Sequence, residues 1–168
     1  MQGPIGVYLN LLLLRRGPRD LPASTSLLVA AAAAAFGIEF AGFAHRTTAG
    51  VAFARAALDV ALMAGAFSAL LVLRRQSHRL RQTLSALFGV DALLSLPSMV
   101  AVLSASGKEH DQLLALLFLP ILAWSVLVNA HVVRSALEVP MLNGVAIAMT
   151  FMVVVLLIQQ AWPDIGAG

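Results

Sequence analysis

The sequence predicts an all-α fold: a polytopic membrane helical bundle of five transmembrane helices preceded by a short interfacial helix. Two observations carry this. Five apolar stretches, residues 24–44, 51–73, 82–103, 113–133 and 141–161, each run about twenty residues, enough to cross a hydrocarbon core roughly 30 Å thick. Arginine concentrates on alternate connections. Arg74, Arg75, Arg79 and Arg81 share one, whereas the neighbouring ones hold His45 and Arg46 or Lys108. With 60% hydrophobic and 11% charged residues the chain is too apolar for an ordinary soluble domain. Three parts follow: an N-terminal arm over residues 1–23, cytoplasmic or interfacial; one membrane domain over 24–161; and a non-cytoplasmic tail over 162–168.

In chain order, the apolar stretch 5–14 is too short to span and has no basic region ahead of it. It reads as an interfacial helix ending at Gly17 and Pro18, with Tyr8, Arg15 and Arg16 at headgroup level. A cleavable signal would need 15–20 as its basic region and 27–36 as its apolar one. The apolar run continues through Phe43, however, and Asp20 precedes it, which disfavours cleavage. Ser24 reads as the cap of the first span. The alanine run 30–35 means close helix approach rather than disorder. Small residues recur every fourth position at Ala33, Gly37 and Ala41 and at Ala57, Ala61, Gly65 and Ala69, marking expected packing stripes. Spans four and five are bulkier and should face lipid or a partner protein. Trp162, followed by Pro163, suits an interfacial anchor.

The connections are short, so the positive-inside rule applies. Arg15, Arg16, Arg19, Arg74, Arg75, Arg79, Arg81 and Arg134 fall on one side, Arg46 and Lys108 on the other. This predicts a cytoplasmic N-terminus, a periplasmic C-terminus and a multi-pass protein of the bacterial inner membrane. The lipid bilayer and other membrane subunits are the expected partners. Nucleic acid is not, because arginines flanking apolar spans belong at headgroups. Arg15, Arg16, Arg74, Arg75, Arg79, Arg81, His131 and Arg134 are candidate contacts for headgroups or an acidic partner.

Glu39, Arg55, Asp59 and Asp91 lie inside apolar spans, where ionised groups are expensive and usually face the bundle interior. Counting depth at ~1.5 Å per residue puts Glu39 level with Arg55, with Asp59 one turn deeper on the same face. These three form the natural cluster. Asp91 stands apart, with Ser95 and Ser98 on its face and Pro97 nearby. It is neutral, borrows Arg55 or lines a wet cavity; structural polar glue between helices, with Asp91 protonated, is the favoured reading over a proton or cation path.

Other chemistry is not visible. The chain has no cysteine, so thiolate metal sites and disulfides are excluded. His45, His78 and His110 fall in loops, which argues against bis-histidine haem ligation. The 108–111 turn lacks metal-ligand spacing. No phosphate loop, His-Glu-x-x-His or nucleophile elbow occurs, and Ser125 has no base at its depth. Neither a metal nor a cofactor is expected.

Arg15-Arg16-Gly17-Pro18-Arg19-Asp20-Leu21-Pro22 before the first span, and Trp124, His131, Arg134, Glu138 and Pro140 within 124–157, resemble small five-span proteobacterial membrane proteins. These in turn are similar to the Yip1-like membrane family. The short acidic-aromatic signature of its eukaryotic members is missing here. The resemblance implies a cytosolic N-terminus, five helices and a non-enzymatic role in trafficking or membrane organisation.

The leading functional expectation is a non-enzymatic accessory or scaffold subunit of a larger membrane complex. The second is a proton- or cation-coupled transporter subunit using Glu39, Arg55, Asp59 and Asp91. A membrane b-type cytochrome is a remote third.

Overall fold

The computed structural model describes residues 4–104 and 108–161, with side chains for 6–97, 99–100 and 119–161. Among the described residues the chain is all-helical: α1 (Pro4–Leu12), α2 (Thr25–Ala44), α3 (Ala49–Leu73), α4 (Leu80–Ser104), α5 (Lys108–Leu137) and α6 (Met141–Ala161), with single 3₁₀ turns at Pro18–Asp20 and Ser77–Arg79. Among the described residues, four segments are long and apolar enough to cross a membrane: α2, α3, α6 and Leu119–Leu137 of α5.

The helix at the centre of the bundle is α4. α4 packs against α1, α2, α3 and α5, and every residue from Thr83 to Val90 is buried. Its polar residues Thr83 and Ser85 are among those buried there. α6 lies outermost, against α5 and α3, and leaves Leu142, Met149, Val153, Val154, Leu156 and Leu157 exposed.

Local chemistry sets the helix ends. The Ser24 hydroxyl accepts the Leu27 N–H at 3.3 Å and caps α2. Three helices finish at the same end of the bundle with the same closure: α1 at Leu14 (φ 58°), α3 at Arg75 (φ 55°) and α5 at Glu138 (φ 56°). In each, the next residue's N–H reaches back five positions, from Arg15 to Asn10 (2.9 Å), Gln76 to Leu71 (2.7 Å) and Val139 to Arg134 (3.1 Å). This is the Schellman closure, usually built on glycine. Here side chains occupy the left-handed position.

The packing stripes differ from those expected. Ala33, Gly37, Ala61, Gly65 and Ala69 are exposed. The buried residues are instead Ala31 and Ala35 on α2 and Ala52, Ala56, Met63, Phe67 and Leu71 on α3. Alanine is abundant enough to offer several four-residue stripes, and the face that also carries large side chains wins because it buries more surface. The close crossing is elsewhere. At Gly144 of α6 a Cβ would lie 2.5 Å from the Ala130 carbonyl oxygen of α5, so only glycine allows that approach.

Two further expectations change. Residues 108–111 open α5 rather than forming a turn, because the helix starts five residues before the apolar run; the side chains of Lys108, Glu109, His110 and Asp111 are outside the described set. Ser98's side chain, Trp162, Pro163 and the 162–168 tail are outside it too. Tyr8 is also no surface anchor. Together with Val7 and Leu11 it is buried, on the face of α1 that meets α4 and α5.

Candidate functional site

The bundle brings three acids together, one from each of three neighbouring helices: Glu39 of α2, Asp59 of α3 and Asp91 of α4. Glu39 lies close enough to both aspartates to interact with them. Acids held this close can share protons as a group. All three residues are partly buried. Glu39 Oε2 and Asp59 Oδ1 are buried with no hydrogen-bond partner.

Arg55, on the same face of α3 as Asp59, places its guanidinium 5.9 Å from the centre of the Phe43 ring, within cation–π range. Asp91 is not isolated, as helix-by-helix depth suggested: it lies near Glu39, on the helix pair α2–α4 that packs most extensively among the described residues.

Beside the acids lies a cavity of about 270 Å³ walled by α3, α4, α5 and α6. Asp59 and Asp91 line it, as do Ser95, Ser125 and Asn129; Met63, Phe67, Phe151 and Met152 supply much of the apolar wall. Phe67 and Phe151 pack with ring centres 5.1 Å apart. The Ser125 hydroxyl donates to the Leu122 carbonyl at 2.7 Å, whereas Asn129 Oδ1 is buried without a partner.

A second polar region closes the end where the N-terminal arm docks. Glu138 Oε1 accepts from Arg19 at 2.5 Å and from Arg79 at 2.9 Å. Arg79 also reaches the Ala136 carbonyl at 3.3 Å. The Arg79 hydrogen bond and charge, with those of Arg19, hold the Glu138 carboxyl below the usual carboxylate range. His131 Nε2 lies 3.0 Å from the Arg16 carbonyl, and Gln82 donates to the Leu21 carbonyl at 2.7 Å. The Tyr8 hydroxyl donates to the Ser85 carbonyl at 3.0 Å. Its ring lies on Gly89, where a Cβ would overlap the ring atoms. Burial pushes the Tyr8 phenol up, so it remains a donor.

The chain matches no protein-family model, no curated protein and no solved structure.

The candidate residues thus divide into two groups. Glu39, Asp59 and Asp91 converge in the interior. Arg79 and His131 fasten the arm, and Arg134 lines a shallow pocket with Gly17, Arg19, Asp20 and Glu138. Arg15, Arg16, Arg74, Arg75 and Arg81 are exposed. Sequence reasoning missed the cavity role of Asn129 and the pairing of Arg19 with Glu138. Its one usable signal was that Asn129 falls a single turn from Ser125 on the same helix face. Among the described residues no group of three or more His, Asp and Glu side chains is arranged to hold a metal ion.

Proposed function

We propose that this chain is a non-enzymatic five-span protein of the bacterial inner membrane and serves as a proton- or cation-coupled transporter subunit. α4 counts as the fifth span: its 25 residues reach ~37 Å at the helical rise. Its polar content suits a helix shielded by its neighbours. The arginine-rich end, where the arm packs, faces the cytoplasm by the positive-inside rule, with α1 near the interface.

One observation carries the transport reading: three helices each commit an acid to one cluster beside a cavity. Intramembrane carboxylates are expensive, and their usual uses include proton relays and ion pathways. A cluster that shares protons among Glu39, Asp59 and Asp91 can take up and release one without moving the fold. The test is proton flux in proteoliposomes carrying an internal pH-sensitive dye. Asp91→Asn should abolish the flux, and a variant that keeps the wild-type rate removes this reading.

An accessory role in a larger membrane assembly is the second reading, supported by Leu119, Trp124 and Leu127 of α5 and the outer face of α6, all large and exposed. Such a face suits lipid or a partner helix equally. Native mass measurement after gentle extraction separates the two: a bare monomer removes the accessory role.

A further inference from the structure

The cavity among α3, α4, α5 and α6 has a composition that selects its occupant. Its volume, about 270 Å³, sits near the lower end of small-molecule sites, roughly 300 Å³, and is far more than one water needs. The described lining holds acceptors in excess of donors. Asp59 and Asp91 contribute carboxyl oxygens, and Asn129 Oδ1 and Asp59 Oδ1 are both buried and unsatisfied. The Ser125 hydroxyl is already committed to Leu122. No lysine, arginine or histidine lines the cavity among the described residues. The rest of the wall is apolar and polarisable, with the Phe67–Phe151 pair and Met63 and Met152.

Each part excludes a class of ligand. An anion meets two acids and no cationic side chain among the described residues. A hard metal cation, which wants six or more oxygens, meets mostly methionine, phenylalanine and leucine. A neutral hydrocarbon leaves the buried acceptors unpaired. What matches both halves is a hydrogen-bond-donating cation with a compact apolar body: the ammonium group satisfies Asp59 and Asn129, and the body rests on the two rings, whose faces attract positive charge.

We propose that the cavity binds a small protonated primary amine bearing an aromatic or branched apolar group. This rests on the cation-linked reading above and names its substrate class. It is tested with purified full-length protein in mild detergent, by equilibrium dialysis of radiolabelled phenethylamine at neutral pH. Two competitors dissect recognition: 2-phenylethanol keeps the body without the charge, and methylamine keeps the charge without the body. One saturable site is expected, with each competitor at least tenfold weaker than unlabelled phenethylamine. Asp59→Asn should weaken binding about tenfold and Asn129→Leu by a similar factor, with size-exclusion profiles confirming that both variants are folded. The competitor series needs no variant, so it decides the matter even if both misfold. Binding that does not saturate, or 2-phenylethanol competing as well as the amine, overturns the proposal. Amine binding without amine or proton flux in proteoliposomes leaves this site standing and removes the transport reading. Proton flux without amine binding does the reverse.

Discussion

Two glutamates in this molecule meet opposite fates. Glu138 closes α5 and takes two arginines, Arg19 from the arm and Arg79 from the turn before α4. Glu39, inside α2, takes two aspartates. The first arrangement matches charge to charge and fixes a chain segment in place. The second gathers acids with no cation between them among the described residues and leaves buried acceptors unsatisfied, which weakens a fold. An arrangement of the second kind persists where something other than stability maintains it. The contrast separates a structural end of the bundle from a working interior.

The largest effect should come from the arm end. Gly89→Ala puts a methyl group inside the space of the Tyr8 ring, and α1 has to leave the groove where Val7, Tyr8 and Leu11 are buried. Overpacking of this kind destabilises by about 1–3 kcal/mol. Trypsin should then cut at Arg15 and Arg16 far faster than in the wild type. Tyr8→Ala combined with Gly89→Ala should lose much less than the sum of the two single changes, because the clash disappears with the ring. Strict additivity would show that the ring and the glycine do not act as a pair.

The interior should respond with the opposite sign. Asp91→Asn keeps the shape and hydrogen-bonding capacity of the side chain while removing one acid from the cluster. Thermal unfolding should show a gain of roughly 0.5–2 kcal/mol, the size typical when a functional compromise is relieved. A loss of stability would mean that Asp91 is structural polar glue, and the contrast with Glu138 would collapse.

How far these regions were legible in the sequence follows from the range of the interactions. The helices of the bundle were visible because each is a local matter of about twenty apolar residues, and the Ser24 cap because it acts over three positions. The acids were visible as anomalies, since a charge in an apolar run stands out without any partner. Their convergence was not. Depth along each helix places Glu39 with Arg55, but the rotation of α4 that turns Asp91 toward α2 depends on the packing of Thr83–Val90. Small residues misled for the same reason. Gly144 is one glycine among twelve, and only the Ala130 carbonyl beside it shows why it has to be one. The Arg19–Glu138 pair, joining residues 119 apart, leaves no periodic trace at all.

The smallest effect is the one that ties pH to the arm. Because the folded pKa of Glu138 is lowered, its contribution to docking is complete above the ordinary glutamate range, about 4.3. It fades as pH falls through the lower folded value, where the protonated acid no longer pairs with Arg79 and Arg19. Both Glu138 and Arg19 are half-exposed, at 51% and 52%, so salt should weaken that contact most. Arg79, at 17%, is better shielded, and Arg79→Ala should loosen the arm more than Arg19→Ala does. Hydrogen exchange of the segment 4–21, corrected for intrinsic rates, should show protection falling across this acid window. Glu138→Gln should start from the lower protection at neutral pH and show no such step. A step that survives in the glutamine variant assigns the titration to another group and leaves the Arg19–Glu138–Arg79 contact as packing without electrostatic consequence.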